Sequence, residues 1–183
     1  MKPSPIVLVD ACVLHSACCR DLLIQCDMDG HLRLRWTDLI LNEVERSILR
    51  RRPDLTSNQI RRTFRLMNQA CPDALQISNP PKQLHFKLPD SNDNHILSAA
   101  VSTRSEVILT FNLKDFPSDI LNHYKTMAQH PDKWLIKLFQ NKTPDLKSSL
   151  EKCRTRLRSP SLGIREYKLE LKKSGLTNLS NLI

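Results

Sequence analysis

Two short runs of apolar, largely β-branched residues constrain the fold of this chain more than any other feature. Ile6-Val-Leu-Val9 and the stretch 106–110 show no alternation of polar and apolar side chains, so each reads as a strand buried on both faces. Such a strand needs cover above and below, and helical stretches between the runs supply it. The alternation predicts an α/β fold, a mostly parallel central sheet with helices on both sides. Both runs end in polar residues: Asp10 after the first, and Thr110-Phe-Asn-Leu-Lys-Asp115 after the second. Ligands collect outside the carboxyl ends of the strands in open parallel sheets, so these positions are candidates for chemistry as well as for turns and caps.

Between and beyond the runs, helices are expected at 16–29, from Thr37 or Asp38 until Pro53 stops it, and at 56–70, 94–102, 118–123 and 131–139. Leu32, Leu34 and Trp36 alternate with basic residues like a half-exposed strand, 74–77 reads as a short strand, and 79–89 as a loop. Past Pro144, two basic helical stretches at 145–157 and 164–173 are separated by Ser159-Pro160-Ser161. The expected organisation is a body over residues 1–140 and a basic helical C-terminal extension over 141–183.

Composition narrows the function classes. With 40% hydrophobic and 26% charged residues, the chain is ordinary for a folded protein. No apolar run approaches the roughly 18 residues that span a bilayer. The start offers four apolar residues before Asp10, fewer than the about 7 to 15 of a signal peptide, and the expected location is cytoplasmic, with no membrane partner. Three glycines leave no GxxxxGK or GxGxxG phosphate loop. Six irregularly spaced cysteines without a Cys-x-x-Cys pair are expected to be free thiols, neither a disulfide framework nor a structural zinc site.

The net charge of +9 is unevenly spread. Residues 132–183 hold 12 Lys and Arg against 5 Asp and Glu, and Arg46 to Arg65 carries seven arginines against Asp54. Two basic zones flank a nearly neutral body, and such zones attract phosphate backbones.

Against that background the acids stand out. Asp90 and Asp93 lie three residues apart in Leu88-Pro-Asp-Ser-Asn-Asp-Asn, at the opening of an apolar helix. There they either cap the helix or present oxygens to a cation. Glu43 and Glu45 fall on opposite sides of Val44, and periodicity alone does not choose between them. Asp10, Asp93, Asp115 and a glutamate would converge at one end of the sheet, where packed carboxylates repel unless a cation neutralises them. All-oxygen donors favour Mg²⁺ or Mn²⁺, and that arrangement suits phosphodiester hydrolysis. His95 is nearest the acids, but on a packed helix it reads as a satisfied side chain rather than a base.

The chain resembles the PIN-domain ribonucleases, particularly the VapC-like toxins of toxin–antitoxin pairs, over roughly residues 5–140. The resemblance rests on Ile-Val-Leu-Val-Asp-Ala-Cys-Val-Leu (6–14), Leu-Ile-Leu-Asn-Glu-Val (39–44), Asp-Asn-His-Ile-Leu-Ser-Ala-Ala (93–100) and Leu-Thr-Phe-Asn-Leu-Lys-Asp-Phe (109–116), in order. It implies a PIN-like α/β/α sandwich and makes Asp10, Glu43, Asp93 and Asp115 the catalytic, metal-binding acids, choosing Glu43 over Glu45. Thr110 and Asn112 match polar positions that shape the site, and Asp90 matches an additional acid of some relatives. Cys12 stands where the family commonly has Asn or Thr, and Phe111 where Arg is frequent.

The implied activity is Mg²⁺- or Mn²⁺-dependent endoribonucleolytic cleavage leaving 3′-hydroxyl and 5′-phosphate ends. Arg46, Arg50, Arg51 and Arg52 would hold the RNA, which would be tRNA, rRNA or mRNA read in single-stranded stretches. A cognate antitoxin and a homodimer are the implied partners. The alternatives are a housekeeping RNA-processing nuclease and a non-catalytic RNA- or protein-binding module on the same fold.

Overall fold

The protein was analysed as a computed structural model that describes residues 3–75, 86–141, 143–157 and 161–183. The two apolar runs form adjacent parallel strands, β1 (Ile6–Val9) and β3 (Val107–Leu109), with Val7, Leu8 and Val9 paired to Val107, Ile108 and Leu109. Flanking them are β2 (Arg33–Arg35) beside β1 and β4 (Met127–Gln129) beside β3, all parallel, in the order β2-β1-β3-β4. Apart from the part-exposed Ile6, the inner pair is buried, as unbroken apolar runs demand. β4 was not expected from sequence. Its Met-Ala-Gln core is an edge strand with Met127 exposed, so neither apolar run nor alternation marks it.

The helices cover both faces, giving the expected α/β/α sandwich. In chain order they are α1 (Ala11–Leu14), α2 (Ala17–Met28), α3 (Asp38–Arg51), α4 (Ser57–Ala70), α5 (Asn94–Ser102), α6 (Ser118–Asn122), α7 (Pro131–Asn141), α8 (Thr143–Arg156), α9 (Ile164–Lys173) and α10 (Thr177–Ser180). Thr37 caps α3 by accepting from the Ile40 N–H, and Thr56 with Gln59 forms a capping box at α4. The very short α1 and α10 escape sequence periodicity. The strand expected at 74–77 is a single parallel bridge from Trp36 to Leu75, and its last two positions lie outside the described residues. So does most of the loop expected at 79–89.

The helices beyond residue 141 share the core of the body. Leu146, Leu150 and Cys153 of α8, Tyr167 and Leu171 of α9, and Leu176 and Leu179 are buried in one continuous apolar cluster with β1, α2 and α5. α8 lies along α2, where Ser149 Oγ and Lys152 Nζ donate to the Asp29 carboxylate at 2.6 and 2.7 Å. All six cysteines are free. Among the described residues no helix is long and apolar enough to cross a membrane.

Candidate active site

The carboxyl ends of β1 and β3 deliver Asp10 and the segment Thr110–Asp115 side by side. Asp10 is nearly buried, and its backbone N–H reaches the Leu109 carbonyl. Two donors converge on its Oδ2: Thr110 Oγ1 at 2.7 Å and Cys12 Sγ at 2.9 Å. Burial and the adjacent Asp10 carboxylate push the Cys12 thiol up to about 12, so it stays protonated and serves as a donor. Thr110 Oγ1 in turn accepts from the Asn112 N–H at 2.9 Å, and the Asn112 side-chain amide donates to Asp115 Oδ2. Asp10, Thr110, Asn112 and Asp115 are thus linked in one network, which Cys12 joins by donating to Asp10.

The acidic pair at the start of α5 divides its tasks. Asp90 caps the 3₁₀ turn Ser91–Asp93 by accepting from the Asn92 N–H at 2.9 Å and lies exposed. Asp93, at the junction with α5, makes no side-chain cap bond. Burial first, then the negative charges of Asp10, Asp90 and Asp115, raise its carboxyl to about 6, against a smaller opposing effect of His95. Burial and three neighbouring carboxylates thus disfavour the charged form of Asp93, and His95 offsets them only in part. Among the described residues no three Asp, Glu, His or Cys side chains stand close enough together to clasp a metal as they are.

The two glutamates of α3 point to different places. Glu43 Oε1 meets His95 Nε2 at 3.0 Å, while the buried His95 Nδ1 has no partner among the described residues. Glu45 is buried against α4, where Ser57 Oγ and Arg61 Nε donate to it, the latter at 3.1 Å. Its carboxyl is held below the ordinary range, chiefly by the Ser57 bond and then, against burial, by Arg61. Only Glu43 faces the cleft.

That cleft has a volume of about 1230 Å³. Glu43, His95 and Cys12 line it, Ser91, Asn92 and Asn94 do so on either side of Asp93 in the chain, and Arg46, Arg50 and Arg51 of α3 line it as well. Asp10 and Asp93 are chain neighbours of lining residues, Asp115 is not, and none of the three is part of the lining. Arg52 is outside the cleft and forms a two-pronged pair with Asp54, at 2.8 and 2.6 Å. Sequence reasoning missed His15, which also lines the cleft, and whose imidazole pKa is lowered by burial and then by the charges of Arg51 and Arg20. It sits at the end of the unforeseen α1, so no sequence signal placed it there.

Residues 6–114 match the sequence profile of the PIN domain. A stretch of 52 residues is 54% identical to a Mycobacterium tuberculosis protein named "Putative ribonuclease VapC50", and it spans 28% of this chain and 28% of that protein. No solved structure matched the chain.

Proposed function

The chain belongs to the PIN-domain family, and from that premise we propose that it is a Mg²⁺- or Mn²⁺-dependent endoribonuclease, the toxin of a toxin–antitoxin pair. The observation that carries the reading is the set of acids delivered to the carboxyl edge of the sheet, where the charges of Asp10, Asp90 and Asp115 act on Asp93 beside an arginine-lined cleft. The ribonuclease name of the partial relative supports the same chemistry. The donor set suits a hard divalent cation, because a cation would offset the burial and, after it, the repulsion that lift the Asp93 carboxyl. Asp10, Asp93, Asp115 and Glu43 would hold it. When bound, such an ion supplies water activation and screening of phosphate charge.

The chain's own groups prepare the site. Cys12 and Thr110 hold the Asp10 carboxylate, Asn112 holds Asp115, and His95 orients Glu43. Asp90 shapes the turn that presents Asp93. Arg46, Arg50 and Arg51 offer guanidinium forks to successive phosphates, whereas Arg52 is engaged by Asp54. In this reading residues 1–140 carry the catalytic groups and 141–183 form a helical extension packed on them. RNA, as single-stranded tRNA, rRNA or mRNA segments, is the substrate, and an antitoxin that covers the cleft is the partner, with homodimer formation as a further expectation.

The deciding experiment strips the purified protein with EDTA, restores Mg²⁺ or Mn²⁺, and maps cuts on a panel of tRNAs, rRNA and mRNA. Cleavage that requires the ion supports the proposal. Undiminished cleavage in EDTA overturns it. Growth arrest on expression, relieved by the product of a small reading frame beside the gene, supports the toxin role; cleavage without arrest points to RNA processing instead.

A further inference from the structure

The segment that carries Thr110 and Asn112 is braced from outside the sheet. Between them, the Phe111 N–H donates to Cys12 Sγ at 3.3 Å, and the Phe111 ring packs edge-on to His130 with centroids 5.1 Å apart. Gly175, in the turn after α9, also approaches this ring. A Cβ built on Gly175 would stand 2.8 Å from Phe111 Cε1 and 3.1 Å from Cζ, close enough that the ring would have to shift. A second connection runs through α7. His130 Nδ1 accepts from the Asp132 N–H at 3.2 Å, and the buried Asp132 carboxylate accepts from the Asn178 N–H, the Asn178 side-chain amide and the Leu179 N–H at 2.8 to 2.9 Å. Two routes therefore lead from the C-terminal turn to one ring, directly by Gly175 and indirectly by Asp132 and His130.

We propose that Phe111 and Gly175 are positioning residues for the acid site: the turn after α9 abuts the Phe111 ring, and the ring fixes where Thr110 hands Asp10, and Asn112 hands Asp115, to the cation. The inference rests on the nuclease reading and gives the C-terminal helices a part in it.

The fold contains its own control. Gly175 has φ +81° and ends α9 with bonds from the Gly175 N–H to Lys172 O and from the Leu176 N–H to Leu171 O. Gly30 has φ +74° and ends α2 with the equivalent pair, Gly30 to Asp27 and His31 to Cys26. An added Cβ at Gly30 meets nothing within 4 Å. Alanine at either position suffers the same backbone strain, but only at Gly175 does it press on Phe111.

The test compares Gly30→Ala, Gly175→Ala, Phe111→Ala and the Gly175→Ala/Phe111→Ala double variant with the full-length protein. It measures thermal melting, affinity for Mn²⁺ alone by calorimetry, and kcat and KM on a cleaved RNA. Both glycine variants should melt lower, while Gly175→Ala alone loses about 10-fold or more in Mn²⁺ affinity and in kcat, with KM little changed. Phe111→Ala should show a comparable loss of affinity, and the double variant should be no worse than Phe111→Ala. Mn²⁺ affinity in Gly175→Ala equal to that of Gly30→Ala, or fully additive losses in the double variant, would overturn the inference. Should Gly175→Ala not fold, Phe111→Ala decides: wild-type Mn²⁺ affinity in that variant rejects the brace. A wild-type protein that neither binds Mn²⁺ nor cleaves RNA rejects the nuclease reading itself, whereas a competent wild type with unaffected variants rejects the brace alone.

Discussion

Asp90 and Asp93 lie three residues apart, and the backbone gives them opposite surroundings: the first is exposed and spends its oxygens on a turn, the second is half-buried among other acids with no cap to make. Glu43 and Glu45 are separated in the same way, one facing His95 and the cleft, the other buried against Ser57 and Arg61. Isosteric amides use that difference. Asp93→Asn and Glu43→Gln should abolish cleavage while leaving the melting temperature near wild type, because an amide keeps the shape and removes the charge a cation requires. Asp90→Asn should lose about 10 to 100-fold in activity, the range for a group that orients a ligand. Glu45→Gln should instead destabilise the α3–α4 contact by about 1–3 kcal/mol, from the weakened buried bonds, with activity per folded molecule retained. Cleavage by Asp93→Asn at the wild-type rate, with metal present, would remove Asp93 from the site.

At the scale of elements, one carboxylate ties α8 to α2 beside the apolar core they share. Burial alone would raise Asp29, but bonds from Lys152, Ser149 and Gln25 outweigh it and hold the group down at about 2, below the ordinary 3.8. A depressed carboxyl stabilises the fold above its unfolded value and loses that contribution as pH falls through the folded value. The α2–α8 contact should therefore contribute fully above about pH 4 and weaken between roughly pH 4 and 2. Asp29→Asn should cost about 1–2 kcal/mol at neutral pH, allowing for solvent screening of the Lys152 pair. It should also flatten the dependence of stability on pH in that window, as followed by urea melts. An unchanged acid slope would show that Asp29 is not the group responsible.

For the whole molecule, the continuity of the core from β1 through α2 to Leu171 and Leu179 means that the C-terminal helices should not melt separately. Calorimetry should give a single unfolding transition. Leu171→Ala, at a fully buried position, should lower that transition by about 2–5 kcal/mol of stability, the usual range for emptying a core leucine. Two resolved transitions, with the substitution moving only one of them, would make residues 141–183 an independent unit.

By itself the amino-acid sequence determined the layered α/β plan, because unbroken apolar strands such as Ile6–Val9 and Val107–Leu109 have one stable solution, burial between helices. It also determined that Asp10 and Asp115 follow those strands, since position along the chain becomes position at the sheet edge. The exposed edge strand Met127–Gln129 and the one-turn α1 carried no periodic signal, so they emerged only in the fold. The choice between Glu43 and Glu45 as the cleft-facing glutamate lay with tertiary structure as well. Helical spacing places both beside Val44 and is silent on which side meets α5 and which meets α4. The contact of Gly175 with Phe111 joins residues 64 positions apart, and only packing three-dimensionally across α7 and α9 brings such a glycine against such a ring.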